Sequence, residues 1–133
     1  MNAVATIQET LDSVRAQDYP RVEHVIVDGG STDGTVELLE AAPGVRWVSE
    51  RDDGRVDAAN KGLRLATGDV VAWLNADDRY EPGALRAVGT ALACNPDAAW
   101  ASGYCPIIDG DGREIRHART IAREGNVDPA SGR

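Results

Sequence analysis

The sequence predicts an α/β fold in which a parallel sheet is flanked by helices. Segments with helical apolar spacing alternate with short runs of Val, Ile and Leu, and two of those runs end at acidic residues. Such alternation is typical of parallel strands joined by right-handed crossovers. The order opens on a helix, so the first strand of a usual strand–helix–strand unit is missing from the predicted arrangement.

The first helix is predicted over residues 3–16, where apolar residues recur at spacings of three and four. The same reasoning places the later elements along the chain. Strands are predicted at 22–27, 45–48 and 69–74, and helices at 35–41, 56–66 and 82–94. Beyond these, residues 98–108 read as one or two strands broken by Gly103 and Pro106. The Asp-Gly repeat at 109–112 predicts a hairpin turn into a last strand at 113–117, and the tail at 118–133 is expected to be poorly ordered.

Composition sets the class of protein and of partner. The chain has 133 residues and a net charge of −8, with Lys61 as its single lysine. Nucleic acid is excluded as a partner because phosphate backbones favour clustered Lys and Arg. No apolar run is long enough to span a membrane and no signal-peptide pattern opens the chain, so we expect a cytoplasmic protein, with peripheral membrane association left open.

Asp28 is the first candidate functional residue, because it ends an apolar run and precedes a loop of glycines and hydroxylated residues. Ligands of open α/β sheets bind at the carboxyl ends of strands. There a carboxylate can accept hydrogen bonds from a base-ring N–H group or a ribose hydroxyl. The alternative is a turn or capping acid, and capping of the next helix is favoured for Asp33.

Asp77 and Asp78 follow the third predicted strand and form the second candidate group. Mg²⁺ and Mn²⁺ prefer one or two carboxylates together with phosphate oxygens. A solvated acidic turn is the alternative. With Asp28 on a neighbouring strand, we expect all three aspartates to converge around one diphosphate-bound ion.

The helix predicted at 56–66 carries a third group. Asp57 and Asn60 share one face at i, i+3, where they either line a nucleotide pocket or hold the preceding loop. Arg55, just ahead of them, can stack on a base or contact a phosphate.

Five motifs in this order resemble the nucleotide-binding half of the family 2 glycosyltransferases, inverting enzymes with the GT-A fold. They are VDGGSTDGT at 27–35, SERDDG at 49–54, DAANKG at 57–62, ATGD at 66–69 and LNADD at 74–78. The resemblance covers roughly residues 2–110 and implies a Rossmann-like GT-A sheet whose first strand and acceptor half are missing. Residues 1–117 would then be a partial GT-A domain, the donor-binding half, and 118–133 a tail or the start of the acceptor segment.

The resemblance also implies a nucleotide-diphospho-sugar donor, a glycan or lipid-carrier acceptor, and a role in polysaccharide biosynthesis. Asp28 would contact the base, and Mg²⁺ or Mn²⁺ would be bound by Asp77 or Asp78, one of which matches the last acid of the DXD motif. Asn75 stands where many relatives have the first acid of that motif, and Gly29 stands where many have a second acid. The residues implied in donor binding are Asp28, Gly30, Ser31, Arg55, Asp57, Asn60, Asn75 and Asp77.

No residue is assigned as the catalytic base, since neither the turn acids Asp109 and Asp111 nor Glu124 matches the acceptor-side segment. We therefore expect no sugar transfer by this chain alone. A nucleotidyltransferase would need a Gly- and Lys-rich phosphate loop, and a haloacid dehalogenase phosphatase would need Asp where Ser31 stands. The alternative from a different class is a non-catalytic remnant of the same fold that acts as a binding module.

Overall fold

The computed structural model describes residues 1–117, which contain four helices and four strands. In chain order these are α1 (Ile7–Arg15), β1 (His24–Asp28), α2 (Thr35–Ala41), β2 (Val45–Ser49), α3 (Arg55–Leu65), α4 (Ala84–Cys94), β3 (Pro106–Ile108) and β4 (Glu114–His117). All four predicted helices and the first two predicted strands are present, with small differences at their ends. The prediction of a poorly ordered tail at 118–133 lies outside the described residues.

β1 and β2 form a two-stranded parallel sheet, as predicted. The register runs from His24 opposite Val45 to Asp28 opposite Ser49. Pairing explains why β1 begins at His24 instead of residue 22, because β2 offers no partner before Val45. The two carboxyl ends therefore lie side by side, with Asp28 and Ser49 as neighbours.

The core lies between α1 and the sheet. Ile7 and Leu11 of α1 and Leu39 of α2 form its buried cluster, and Ile26 and Trp47 from the two strands pack against them. The apolar face of α1 is thus the one that the spacing of three and four predicts. Burial of such a face supplies most of the stability of a short helix.

The third predicted strand, at 69–74, is wrong: this segment has no strand in the structure. Val70, Val71 and Trp73 are 63%, 54% and 55% exposed. A strand needs a hydrogen-bonded neighbour, and within residues 1–117 the sheet that contains β1 has β2 as its other member. A run of Val, Ala, Trp and Leu has the propensity for a strand but does not supply that partner.

The chain divides into two compact units, Met1–Ala87 and a second that begins at Val88. In the second, β3 and β4 pair antiparallel, and the predicted turn at 109–112 joins them. The Asp109 carboxylate accepts the N–H groups of Asp111 and Arg113 at 3.0 and 2.9 Å. Of the strands predicted within 98–108, only β3 forms.

Gly62 lies in the interior of α3, where glycine costs helix stability. A Cβ added there would lie 3.7 Å from Val27 Cγ2, an ordinary van der Waals distance. We therefore expect Gly62→Ala to raise the free energy of unfolding by about 0.5–1 kcal/mol. Urea denaturation followed by circular dichroism measures this, and a loss of stability would show that α3 cannot accept a methyl group against β1.

Candidate functional site

Asp28 ends β1 as a buried carboxylate, 3% exposed, around which the following loop is built. Its Oδ2 accepts hydrogen bonds from the N–H groups of Gly30 and Ser31 at 3.0 and 2.8 Å, and from Ser49 Oγ at 2.7 Å. The hydroxyl of Ser31 donates to Oδ1. Gly30 adopts φ +82°, which favours glycine and allows the chain to fold back over the carboxylate.

These contacts set the charge state of Asp28. Burial by itself raises the pKa of the carboxyl, but the hydrogen bonds from Ser31, Ser49 and Gly30 outweigh burial and lower the pKa below its ordinary value. Asp28 is therefore a stable anion at neutral pH.

The segment before α1 is fastened to the loop that follows Asp28. Three successive N–H groups, those of Asn2, Ala3 and Val4, donate to Ser31 Oγ, Thr35 Oγ1 and Asp33 Oδ2 at 2.7, 3.0 and 3.0 Å. Asp33 also accepts the N–H of Thr35, the first residue of α2, at 3.1 Å. The N-cap of α2 is Gly34 and no side chain caps the helix, so the prediction that Asp33 caps α2 is wrong: Asp33 lies one residue too early and holds the turn before the helix.

The loop after β2 runs beside the loop after β1. The Glu50 N–H donates to the Asp28 carbonyl at 3.0 Å. Further on, Asp52 lies against Gly29: its Cγ is 3.0 Å from the position that a Cβ on Gly29 would occupy, and its Oδ2 is closer still. Sequence reasoning missed this contact, because nothing in the spacing of the two residues indicates it.

Asp57 holds this second loop, which is one of the two roles that the sequence left open. Its carboxylate accepts the Asp53 N–H at 3.3 Å and pairs with Lys61 at 3.2 Å. The Asp53 hydrogen bond and then the Lys61 ammonium lower the pKa of Asp57. Arg55 and Asn60 are exposed on α3, and neither has a hydrogen bond or ion pair to the Asp28 loop within residues 1–117.

Asn75, Asp77 and Asp78, which follow the segment wrongly predicted as the third strand, lie together in one tight turn. The Asn75 side-chain amide donates to Asp78 Oδ2 at 2.6 Å, and its oxygen accepts Trp73 Nε1–H at 2.9 Å. Asp77 is exposed in the same turn. The amide at 75 thus bridges two side chains in a way that a carboxylate cannot, since only the amide has a donor for Asp78.

The carboxylates of this turn suit a cation that is also bound by ligand oxygens better than a cation bound by protein groups alone. Within the described residues, no three Asp, Glu, His or Cys side chains are arranged to hold an ion by themselves. Asp28 is therefore not the third carboxylate of a ready-made metal group, because its oxygens serve Gly30, Ser31 and Ser49. Asp77 and Asp78 remain, and two carboxylates with phosphate oxygens match the coordination that Mg²⁺ prefers.

A row of polar residues along α1 and just beyond its two ends holds the segment from 76 to 85, and sequence reasoning missed it. Its four members are Thr6, Thr10, Ser13 and Gln17, spaced 4, 3 and 4 apart. Thr6 donates to the Ala76 carbonyl at 2.8 Å, and Thr10 donates to the carbonyls of Ala76 and Asp78 at 3.1 and 2.8 Å. Ser13 accepts the Tyr80 N–H at 3.1 Å, and Gln17 bonds Glu81 and Leu85 at 3.0 and 3.1 Å. The helical spacing of these small polar residues, beside the apolar face, is the signal that indicates the contact.

The chain from residue 2 to Thr10, which runs into α1, therefore connects both candidate loops. Residues 2–4 bond the loop after Asp28, while Thr6 and Thr10 bond the turn that carries Asp77 and Asp78. No hydrogen bond within residues 1–117 joins the two loops directly.

Thr10→Val should separate the contribution of the hydroxyl from that of packing, because valine has the same shape. Thr10 is 4% exposed, so the substitution removes the hydroxyl that donates to the Asp78 carbonyl, while the Ala76 carbonyl keeps the Thr6 hydroxyl. We expect a loss of about 1–2 kcal/mol in the free energy of unfolding. Chemical denaturation measures it, and exposed Thr32→Val is the control; equal effects of the two substitutions would contradict the assigned role.

A cleft of about 290 Å³ lies at the opposite end of the strands, near His24 and Val45. None of the predicted site residues lines it. Its one titratable strand residue, His24, has its pKa lowered by burial and then by Arg15. We place the candidate site at the carboxyl ends, because the carboxylates, the glycine loop and the paired loops lie there.

The parallel sheet of β1 and β2 flanked by helices, with acidic and glycine-containing loops at its carboxyl ends, is the arrangement of a GT-A, Rossmann-like α/β fold. The chain belongs to glycosyl transferase family 2, whose family model matches residues 1–130. The predicted family and fold class are thereby confirmed.

Relatives with curated descriptions agree with this membership. An uncharacterised glycosyltransferase of Nostoc is 33% identical over 98% of this chain and 42% of its own length. An uncharacterised glycosyltransferase of Mycobacterium tuberculosis is 45% identical over 59% of this chain and 31% of its own. A protein of Mycobacterium bovis described as a PGL/p-HBAD biosynthesis glycosyltransferase is 42% identical over 69% of this chain and 38% of its own. The chain thus spans less than half the length of these relatives.

Proposed function

We propose that this chain forms the donor-binding part of a glycosyltransferase that uses a nucleotide-diphospho-sugar. The observation that carries the proposal is the fastening of two chemically different loops to one short stretch of chain, residues 2–10, which leads into α1. One loop presents a buried anion with glycine and serine groups, and the other presents two carboxylates. A nucleoside diphosphate has a base and ribose at one end and phosphates at the other, so it offers a partner to each.

The Asp28 loop takes the nucleoside end in this proposal. Asp28 Oδ2 already accepts three hydrogen bonds, whereas Oδ1 accepts the Ser31 hydroxyl alone. Oδ1 is therefore the less occupied oxygen, and it is the one that would accept a hydrogen bond from a base N–H group or a ribose hydroxyl. Gly30 and Ser31 keep that oxygen in place.

The turn at 75–78 takes the diphosphate end, through Mg²⁺ or Mn²⁺ bound by Asp77 and Asp78. A divalent ion is needed because the protein carries a net charge of −8 and would otherwise repel phosphate. When bound, such an ion offsets the charge that grows on the departing nucleoside diphosphate. Asn75 orients the turn by donating to Asp78.

Of the remaining residues implied in donor binding, Arg55 is free to turn toward a bound nucleotide, while Asp57 acts through the loop it holds. We propose a glycan or lipid-carrier acceptor, by analogy with the M. bovis relative, whose description names PGL/p-HBAD biosynthesis. No helix among residues 1–117 has the length and apolarity to cross a membrane. A cytoplasmic location, with peripheral membrane contact through the acceptor, remains our proposal.

Titration calorimetry tests the proposal with several nucleoside diphosphates, each with and without Mn²⁺. We expect heat for at least one of them only when Mn²⁺ is present, and we expect Asp77→Asn combined with Asp78→Asn to abolish it. Exposed Asp97→Asn, which removes one carboxylate elsewhere, is the control and should bind normally. Absence of heat in every combination would favour the non-catalytic module instead.

A further inference from the structure

We propose that Lys61 is a positioning residue of the donor site, which holds the loop at 50–53 so that Asp52 stays against Gly29. The inference rests on the proposed function, since it assigns this loop to the wall of the nucleoside end. It adds a residue that lies outside the two carboxylate loops and contacts the site only through the loop it holds.

Lys61 is placed to act on the loop as a whole. Its ammonium group lies 2.9 Å from Glu50 Oε1 and 3.2 Å from Asp57 Oδ2, and it donates to the Arg51 carbonyl at 3.0 Å. An ammonium group has three donors, and each has an acceptor here. The Lys61 side chain is only 17% exposed. It is the single lysine of the chain.

The contacts of Lys61 bracket Asp52 along the chain. Lys61 holds Glu50 and Arg51 on one side, and Asp57 accepts the Asp53 N–H on the other. Asp52 itself accepts the Gly54 N–H through Oδ1 at 2.9 Å. The remaining oxygen, Oδ2, lies over Gly29.

The Asp52 side chain packs directly against Gly29. A side chain at position 29 would overlap the Asp52 carboxylate, so the close approach depends on glycine. The Asp52 carboxylate therefore lies against the residue that follows Asp28 in the chain. In the proposed donor site this places Asp52 beside the loop that receives the base or ribose.

The first test measures whether Asp52 is held against Gly29 and whether Lys61 is the cause. Gly29→Ala should lower the folding equilibrium constant by about fivefold, because the new methyl group displaces the Asp52 carboxylate, which is bonded to the Gly54 N–H. The loss should shrink to about twofold in an Asp52→Ala background. It should shrink in the same way in a Lys61→Met background, where the loop can move, and it should persist with Lys61→Arg. An equal loss from Gly29→Ala with and without the Lys61→Met substitution would overturn the inference.

The second test measures binding, with the nucleoside diphosphate and Mn²⁺ that give heat with the unaltered protein. Lys61→Met should weaken the affinity by about tenfold, and Lys61→Arg should restore most of it. Arg15→Met removes one exposed cation from an ion pair on α1 and should leave the affinity unchanged. Asp52→Asn supplies a variant that keeps the shape of the loop, and it too should weaken binding.

The two tests distinguish failure of the positioning role of Lys61 from failure of the proposed function. Normal affinity in both Lys61→Met and Asp52→Asn would overturn the positioning role and leave the proposed function standing. If no nucleoside diphosphate binds the unaltered protein, the link of Lys61 to a donor site is overturned together with the proposed function, whatever the coupling to Gly29.

Discussion

Asp28→Asn should lower the free energy of unfolding by on the order of 3 kcal/mol near neutral pH, because buried donors lose a charged acceptor. Four groups donate to this carboxylate: two N–H groups and the hydroxyls of Ser31 and Ser49. An asparagine side chain places its NH₂ group opposite some of these donors, and two donors cannot form a hydrogen bond. The variant should also lose nucleoside diphosphate binding under conditions in which it is still folded.

The same substitution should reduce the dependence of stability on pH. The folded pKa of Asp28 is lowered, so its contribution is fully present above the unfolded pKa of about 3.9 and is lost as the pH falls through the folded pKa. Asp33 and Asp57, whose pKa values are also lowered, add to this acid sensitivity in both proteins. Urea denaturation between about pH 6 and pH 3 should therefore show a smaller loss for Asp28→Asn than for the unaltered protein.

Exposed Asp97→Asn is the control for charge alone, and its curve should follow that of the unaltered protein. Parallel pH curves for Asp28→Asn and the unaltered protein would mean that the carboxylate is not held as the structure describes. A variant as stable as the unaltered protein near neutral pH would contradict the energetic role of the loop directly.

Leu39→Ala should lower the free energy of unfolding by about 2–5 kcal/mol, the range for a buried leucine. Leu39 is 0% exposed and joins α2 to Ile7 and Leu11 of α1. Small domains have about 5–15 kcal/mol of stability in total, so the loss is a large share. Thermal and urea denaturation measure it.

The matched control is Val56→Ala on α3, since Val56 is 76% exposed. Its effect should stay within about 0.5 kcal/mol. Similar losses for the two substitutions would indicate that the core is not centred on α1 and α2.

The elements that are predicted best are those whose structure depends on the local sequence alone. Ile7, Leu11 and Val14 fix the buried face of α1, because their spacing leaves one orientation that covers apolar surface. The strand predicted at 69–74 is wrong for the opposite reason. Its residues resemble those of β1, but a strand also requires a neighbouring backbone, which local sequence does not reveal.

The candidate site likewise contains residues that the sequence predicts and contacts that it does not. Asp28 was located by the change from an apolar run to a glycine loop, and Asp57 by its place on a helix next to that site. The contact of Asp52 with Gly29 depends on how two loops after two strands run side by side, so it could not be read from either loop alone. Thr6 and Thr10 could have been found from their helical spacing, although not the carbonyl groups they bond.

The most direct test of the account asks whether the two loops share one ligand. Amide NMR spectra of the isotope-labelled chain would be followed while the Mn²⁺ complex of a nucleoside diphosphate is added, with the diamagnetic Mg²⁺ complex as reference. We expect paramagnetic broadening of the amides at 75–78 together with shifts or broadening at 28–31, in the same titration and with the same midpoint. Broadening at 75–78 with no change at 28–31, or midpoints that differ, would contradict a single donor site.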